Sequence, residues 1–284
     1  MIFQTQTTVR KVNDQDRTQL ANMIHFGTYV HRHLDWRPPL EWIGHDPFFT
    51  LESDGRLIAA LACPPDPPSI AWVRVFVCSS HYPQNKAWEQ LWSPSIDVLK
   101  QMSVERVAAI PLQKWFRELL TDYGFEHIHN IISLAWEPNH RGKLPSAKET
   151  HIREMTEADF DEVSRIDSSA FGSLWQNSIN LLHLAYDQAN FATVAVDEQG
   201  IIGYQITTPT QYGAHLGRLA ILPRAQGNGV GYALVRDLQS RFHPKQSFRL
   251  SVNTQDTNKI SLALYHKAGF TETPEIFPVF QYNF

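Results

Sequence analysis

The chain has 284 residues, which exceeds the usual size of one domain and favours two. Hydrophobic residues make up 43% of the sequence and charged residues 19%, a composition typical of globular proteins that excludes a disordered chain. The 25 Lys and Arg residues against 29 Asp and Glu give a net charge of −4. This balance lacks the basic excess of a dedicated nucleic-acid-binding protein, so we expect no nucleic-acid partner.

The cysteine pattern and the hydropathy pattern exclude further classes of protein. Cys63 and Cys78 stand in no metal-ligand spacing and form no disulfide framework. The group His31, His33, His45 and Asp46 could suggest a metal site, but no spacing there defines a ligand set, so we expect no metal. The N-terminus shows no secretory signal, and no apolar stretch approaches the ~20 residues that span a bilayer. We expect a cytoplasmic protein with no membrane partner.

Three features recur in the same order along the chain at an offset of 143 to 145 residues. They are a short strand running into a helix cap, a turn between apolar runs, and a Gly-Phe pair after a predicted helix. They start at Val9 and Ile152, at Asp54 and Gln199, and at Tyr123 and Ala268. We interpret the sequence as two copies of one structural plan.

A segment of turn-forming residues separates the two copies. Pro138, Gly142 and Pro145 interrupt both helix and strand, and their polar neighbours cannot fill a core. We therefore predict a first domain over residues 1–137, a surface linker over 138–150 and a second domain over 151–284.

The second copy carries clear secondary-structure signals. Residues 156–159 resemble a capping box that starts a helix. We predict, in chain order, a hairpin of strands 191–196 and 201–207, a strand over 215–222, a helix over 230–242, a strand over 248–253 and a helix over 259–267 that Gly269 ends. The predicted helix after Leu222 connects two predicted strands, and this order implies a crossover that makes the two strands parallel neighbours. The strands of the flanking hairpins are antiparallel. The fold class is mixed α/β (α+β).

The strongest local signal is a glycine turn between a predicted strand and a predicted helix. Gly227, Gly229 and Gly231 alternate there, so backbone N–H groups can approach a ligand closely. The start of a helix also carries unpaired donors and a partial positive charge, which favour phosphate. A glycine-rich turn without a ligand is the alternative. A dinucleotide fingerprint is excluded because Tyr232 stands where its last glycine is needed, and no P-loop is present.

Two motifs give the sequence a family resemblance. Gln226, Gly229 and Gly231 match Q/R-x-x-G-x-G/A, and residues 258–270 are similar to N-x-x-A/S-x-x-L-Y-x-x-x-G-F. Together they resemble the GNAT superfamily of acetyl-CoA-dependent N-acetyltransferases, from about Ile152 to the C-terminus. The first copy resembles the same fold with weaker motifs. The resemblance implies two tandem domains, each a mostly antiparallel twisted sheet with a splayed parallel central strand pair flanked by helices.

The resemblance also implies how acetyl-CoA would be held. The pantetheine arm would pair with strand backbone, the pyrophosphate would meet the amides of the glycine turn, and Asn258 would contact the coenzyme. Asn258 can equally be an ordinary helix N-cap, and both roles are compatible. The cofactor-binding prediction comprises Leu219, Ile221, Gln226, Gly227, Asn228, Gly229, Val230, Gly231 and Asn258.

Two catalytic residues are predicted. Tyr265 occupies the family's general-acid position, where it would protonate the departing thiolate, and its alternative is a buried aromatic. The base is less clear because Gly217 stands where the family often has Glu. His215 lies on the same strand face and titrates near neutrality. A strand histidine satisfied by a neighbour, with solvent taking the proton, is the alternative.

The first copy lacks these features. Residues 82–87 align with the glycine turn but contain no glycine, Pro83 removes an N–H group, and Leu120 replaces Tyr265. We expect this copy to keep the fold without the cofactor site, to pack on the second copy and to shape the acceptor pocket. We expect the tryptophans of residues 31–42 to line either an interdomain contact or the acceptor site. The resemblance implies that Phe171, Leu174 and Trp175 border the acceptor, and the alternative is that they belong to the core.

The leading functional interpretation is an enzyme that transfers an acetyl group from acetyl-CoA to a primary amine through a tetrahedral intermediate. The acceptor would be a small molecule or a peptide. A non-catalytic protein that binds acyl-CoA as a sensor is the first alternative, supported by Gly217 in place of a carboxylate. An interaction scaffold is the second alternative. A homo-oligomer is compatible with the sequence.

Overall fold

The computed structural model describes residues 6–138, 145–147, 149–242 and 248–284. The chain forms two compact units. Unit 1 comprises Met1–Ile128 and Pro278–Phe284, and unit 2 comprises His129–Phe277. The predicted linker lies partly outside the described residues, at positions 139–144 and 148.

Helices and strands alternate along much of the chain. The helices are α1 (Arg17–Phe26), α2 (Gln84–Gln101), α3 (Lys114–Asp122), α4 (Phe160–Ala170), α5 (Ile179–Asp187), α6 (Val230–Ser240) and α7 (Lys259–Lys267). The strands are β1 (Thr7–Lys11), β2 (Tyr29–Arg32), β3 (Phe48–Ser53), β4 (Arg56–Ala62), β5 (Ile70–Trp72), β6 (Val75–Cys78), β7 (Arg106–Ala109), β8 (Glu126–Trp136), β9 (His151–Glu154), β10 (Phe191–Asp197), β11 (Gly200–Thr210), β12 (Gly213–Ile221), β13 (Arg249–Gln255) and β14 (Thr271–Asn283).

The first helix of each unit begins with the same capping arrangement. In unit 2, the backbone N–H of Thr156 donates to Asp159 Oδ2 at 2.8 Å, which completes the predicted capping box. Arg153 donates two hydrogen bonds to the same carboxylate and is the main reason that the pKa of Asp159 falls to about 2. The equivalent residues of unit 1 are Arg10, Asn13 and Asp16. The repeated arrangement supports the interpretation of two copies of one plan.

Unit 1 contains a five-stranded sheet in the order β1-β3-β4-β6-β2. Next to it, β5 pairs in parallel with β7, and β7 pairs antiparallel with the end of β14. One side of this unit is filled by α2, α3 and a cluster of aromatic side chains. The fully buried members of that cluster include Phe76, Trp88 and Phe116.

The last residues of the chain belong to unit 1, which differs from the linear division at residue 151 expected from the sequence. Phe280 pairs with Ala109 of β7, and the Tyr282 ring lies 5.4 Å from the rings of Trp92 and Phe125. The boundary near residue 137 also differs, because unit 1 ends at Ile128, inside β8. The aromatic core of unit 1 is therefore completed by side chains from the C-terminus, which strand periodicity alone does not reveal.

Unit 2 is built on strands in the order β8-β13-β12-β11-β10-β9. Its neighbours are antiparallel except β12 and β13, which are parallel as the predicted crossover requires. Helices α6 and α7 pack on one face of this sheet, and α4 packs on β11 and β12 from the other. Helix α7 has the bounds predicted for it, and Gly269 after it has a φ of 83°. The predicted mixed α/β fold class is confirmed.

In the described parts of the chain, no helix combines the length and the apolar character that a bilayer crossing requires.

Candidate active site

The central parallel strands of unit 2 separate halfway along their length. β12 and β13 pair from Gly213 with Arg249 to Leu216 with Val252, although β12 continues to Ile221. Gly217 is the extra residue of a bulge, because Thr207 of β11 pairs with Leu216 and Ile206 pairs with Arg218. A bulge bends its strand and changes the local twist, so the strands part where the bulge lies. The predicted splayed strand pair is present.

The separated half of β12 presents different side chains to the two faces of the sheet. Leu219 and Ile221 pack with Val230 and Leu234 of α6. Arg218 points to the opposite face, where it binds Asp167 of α4. This alternation follows from the two-residue period of a strand. The opening between the strands therefore has an α6/α7 side and an α4 side.

The glycine turn lies at the end of β12. A 3₁₀ turn, Pro223–Ala225, leads into it, and Gly227 and Gly229 have φ values of 75° and 85°. These left-handed conformations favour glycine. Within the described part of the chain, no hydrogen bond is formed by the backbone N–H groups of residues 227–231. Unpaired donors at a helix start suit an anion, and the binding of a phosphate here stays a prediction.

The two polar side chains of the turn, Gln226 and Asn228, have different surroundings. Gln226 Nε2 donates to the backbone oxygen of Ile221 at 3.0 Å, so this side chain closes the turn onto the strand end. Asn228 is exposed. Contact of either residue with a coenzyme stays a prediction.

Gly231 lies inside the first turn of α6 and allows a close approach between elements. A Cβ atom at this position would lie 2.8 Å from Leu264 Cδ1 of α7 and 3.5 Å from Ile221 Cγ1 of β12. The missing side chain therefore lets α6 pack closely against α7 and β12. Packing is a sufficient reason for this glycine, in addition to its predicted contact with the coenzyme.

Asn258 is the N-cap of α7. Its Oδ1 accepts the backbone N–H of Ser261 at 3.1 Å, and its Nδ2 donates to Gln255 Oε1 at 3.4 Å. The capping interpretation is present in the structure. The contact with the coenzyme stays a prediction.

Tyr265 of α7 is buried in the cluster on the α6/α7 face, with its ring 5.6 Å from that of Phe270. Burial raises the pKa of its phenol above the ordinary value, so the hydroxyl keeps its proton at neutral pH. Among the residues that the structure describes, none forms a hydrogen bond with this hydroxyl. A protonated phenol without a partner among the described residues can donate to a ligand atom.

His215 lies on β12 directly before the strands separate. Its Nδ1 is 2.9 Å from Ser251 Oγ of β13, and burial lowers the pKa of the imidazole, so it is neutral at pH 7. Ala214 and Leu216 belong to the same cluster as Tyr265, so His215 points to the other face. The structure does not bring His215 and Tyr265 onto one face, although the opening joins the two sides.

A buried charge network on the α4 side was not predicted from the sequence. Asp167 is fully buried and accepts hydrogen bonds from Arg218 Nε at 2.6 Å and Nη2 at 2.7 Å, and from the hydroxyl of Tyr204. The Arg218 guanidinium also donates to the backbone oxygen of Trp175 at 2.6 Å. The available signal was an arginine within an apolar strand, because a buried charge requires a partner.

Unit 1 closes the equivalent opening with its own chain. Residues 70–72 pair in parallel with β7, and the chain then leaves β7 as β12 leaves β13. In unit 1, however, β6 pairs antiparallel with β2, from Arg32 with Val75 to Tyr29 with Cys78. At an offset of 144 residues, Val75 and Val77 correspond to Leu219 and Ile221. The strand edge predicted to bind pantetheine in unit 2 is thus already occupied in unit 1.

Comparisons with known proteins agree with this geometry. Residues 155–270 match the model of the acetyltransferase (GNAT) family. A tandem GNAT protein from the clavulanic acid biosynthesis pathway is similar over 98% of this chain and 98% of its own, with a TM-score of 0.62 and 13% identity. A GCN5-related N-acetyltransferase from Sphaerobacter thermophilus is similar over 98% and 95%, with a TM-score of 0.60 and 13% identity. A GCN5-related N-acetyltransferase from Anabaena variabilis is similar over 97% of this chain and 72% of its own, with a TM-score of 0.70 and 13% identity. No curated protein matches the chain.

The fold is that of the GNAT acetyltransferases. Residues 155–270 form a domain of the acetyltransferase (GNAT) family, and the whole chain has the fold of tandem GNAT proteins.

Gly231→Ala adds a methyl group from which the Leu264 side chain must move away, while alanine gains up to ~1 kcal/mol in helix propensity, so the net destabilisation of unit 2 should stay below ~1 kcal/mol. The measurement is urea unfolding of Gly231→Ala, Leu264→Ala and the double variant. We expect the double variant to be less destabilised than the summed single effects, by ~0.5 kcal/mol or more. Gly227→Ala with Leu264→Ala is the control pair and should be additive, since no heavy atom lies within 4 Å of a Cβ at Gly227. Additivity in both pairs would contradict the packing role.

Proposed function

We propose that unit 2 transfers an acetyl group from acetyl-CoA to a primary amine of a small molecule or peptide. The observation that carries this proposal is the opening between β12 and β13, which leads directly to a turn of unpaired backbone N–H groups. Membership of residues 155–270 in an acetyltransferase family supports it. The protein is thus proposed to be an acyl-CoA-dependent N-acyltransferase, with unit 1 as a degenerate copy.

The chain offers separate features to the parts of acetyl-CoA. The unpaired N–H groups of residues 227–231 would bind the pyrophosphate, helped by the positive end of α6, whereas the N–H of Gln226 already donates to the backbone oxygen of Pro223. The free edge of β12 at Leu219 and Ile221 would pair with the amide groups of the pantetheine arm. Asn258, at the start of α7, would contact the coenzyme through its side-chain amide while the oxygen of that amide still accepts the backbone N–H of Ser261.

Tyr265 has the protonation state that the reaction requires. Acetyl-CoA supplies a thioester carbonyl, which the amine nitrogen attacks to give a tetrahedral intermediate that expels the thiolate. Tyr265 would donate its proton, or a hydrogen bond, to that sulfur, since the phenol is protonated and has no partner among the described residues. The raised pKa of the buried phenol favours its return to the protonated form after each turnover.

The amine would approach from the α4 side. With the glycine turn and Tyr265 on the α6/α7 face, the coenzyme occupies that face, so the second substrate has the opposite side of the opening. His215 points to this side and is neutral at pH 7, as a base must be. We propose it as the group that accepts the amine proton, directly or through water.

The proposed function is tested by calorimetry and by thiol release. Titration of acetyl-CoA into the full chain should show one site per chain, since β2 closes the opening of unit 1. A panel of amines should then release coenzyme A thiol only in the presence of protein. Two bound molecules per chain would contradict the closed unit 1. Absence of binding at millimolar acetyl-CoA would overturn the function, and binding without thiol release would indicate an acyl-CoA sensor.

Tyr265→Phe should lower kcat by ~10²-fold, because it removes the proton donor for the leaving thiolate while keeping the ring. The dissociation constant of acetyl-CoA should remain unchanged in calorimetry. Tyr186→Phe, which loses a hydroxyl bound to the backbone of Met155, is the control and should keep full turnover. Wild-type turnover in Tyr265→Phe would remove Tyr265 from the mechanism.

His215→Ala should lower kcat/KM by ~10²-fold at pH 7, because the amine loses its general base. In the wild-type protein the acidic limb of kcat/KM should lie below pH 6.5, since burial lowers the pKa of this imidazole. That limb should be absent from the variant. His183→Ala, which removes a histidine stacked on Phe160, is the control. An unchanged profile in His215→Ala would assign the proton to solvent.

A further inference from the structure

The Asp167 carboxylate has all of its acceptor capacity in use. Oδ1 accepts Arg218 Nη2 at 2.7 Å and the backbone N–H of Asn177 at 2.8 Å. Oδ2 accepts Arg218 Nε at 2.6 Å and the hydroxyl of Tyr204. A carboxylate accepts about four hydrogen bonds, so this one is saturated. Asp167 therefore has no free lone pair with which to act as a base or to bind an amine.

The burial of this ion pair is not by itself evidence of added stability. The side chains of Asp167 and Arg218 are 0% and 10% exposed. Removing two charges from water costs free energy that their attraction returns only in good geometry, and an apolar pair often serves stability equally well. The retained charges provide directed hydrogen bonds, which an apolar pair cannot.

Those hydrogen bonds hold the segment between α4 and α5. The backbone oxygen of Trp175 accepts from Arg218 Nη2 at 2.6 Å, and the N–H of Asn177 donates to Asp167. The Phe171 ring lies over the guanidinium, 3.6 Å from its carbon Cζ. Residues 171–177, which we name the α4–α5 wall, are thus fixed at both ends and in the middle by two buried side chains.

The network lies beside the opening in the sheet. Arg218 directly follows Gly217, the bulge residue at which the strands part, and it points to the α4 side. Displacement of Arg218 would therefore move the α4–α5 wall relative to the opening. Tyr265 and the helix after the glycine turn belong to apolar clusters on the other face, and those clusters do not include Asp167, Arg218 or Tyr204.

We propose that the Asp167–Arg218–Tyr204 network is a positioning element that fixes the α4–α5 wall as one side of the amine-binding site and so sets the affinity for the acceptor. This inference rests on the proposed acetyl transfer. None of the three side chains takes part in the chemistry. Their effect reaches the amine through residues 171–177.

Arg218→Lys is the decisive variant. Lysine keeps the charge but cannot bind both oxygens of Asp167 and the oxygen of Trp175 at once. With the amine that the wild-type protein acetylates best, we expect KM for the amine to rise ~10-fold or more. The dissociation constant of acetyl-CoA should stay within ~2-fold. Amide hydrogen exchange should accelerate in the α4–α5 wall and remain unchanged in α6.

Two further variants keep the test decisive. Tyr204→Phe removes a single donor without changing the ring, so it should fold and show the same effects at smaller size. Arg74→Lys is the matched control, because Arg74 forms an equally buried pair with Asp35 at 2.7 Å in unit 1, whose opening is closed. It should lower thermal stability and leave KM for the amine unchanged.

The outcomes separate this proposal from the one on which it rests. An unchanged KM for the amine in Arg218→Lys and Tyr204→Phe, with accelerated exchange in the wall, would overturn the positioning role and leave a structural one. An equal loss of acetyl-CoA affinity, or the same KM change in Arg74→Lys, would also overturn it. A wild-type protein that acetylates no amine would instead refute the acetyl transfer itself.

Discussion

The structure depends on one constraint, which is that a strand edge inside a protein needs a partner for its backbone groups. In both units a central strand leaves its parallel neighbour halfway along, which exposes such an edge. Unit 1 satisfies the edge with β2. In unit 2 the described residues leave the edge at Leu219 and Ile221 without a neighbouring strand on that side. The same fold thus gives a closed core in one copy and a candidate ligand cleft in the other.

Each unit also has a buried arginine at the point where the strands part. Arg74 and Arg218 occupy equivalent positions, each binds a buried aspartate, and each lies near an aromatic ring. The aspartates come from different places, Asp35 from the segment after β2 and Asp167 from α4. The arginine is therefore a shared element of the two copies, whereas the chain segment that it holds differs.

Much of unit 2 could be predicted because its signals are local. The capping box at Thr156, the left-handed glycines of the turn and the bounds of α7 depend on neighbouring residues alone. The network of Asp167 and Arg218 could not be predicted, because its members are 51 residues apart and no local pattern joins them. For the same reason the pairing of the C-terminal strand with β7 was not foreseen.

The sequence by itself determined the fold class, the glycine turn at the start of α6 and the position of Tyr265 on α7. Each of these follows from residue type and short spacing. Only the tertiary structure decided which strand edges remain open, which face His215 points to and which aspartate neutralises Arg218. Those properties arise from strand pairing and from the need to pair buried charges, and both depend on residues that are distant in the chain.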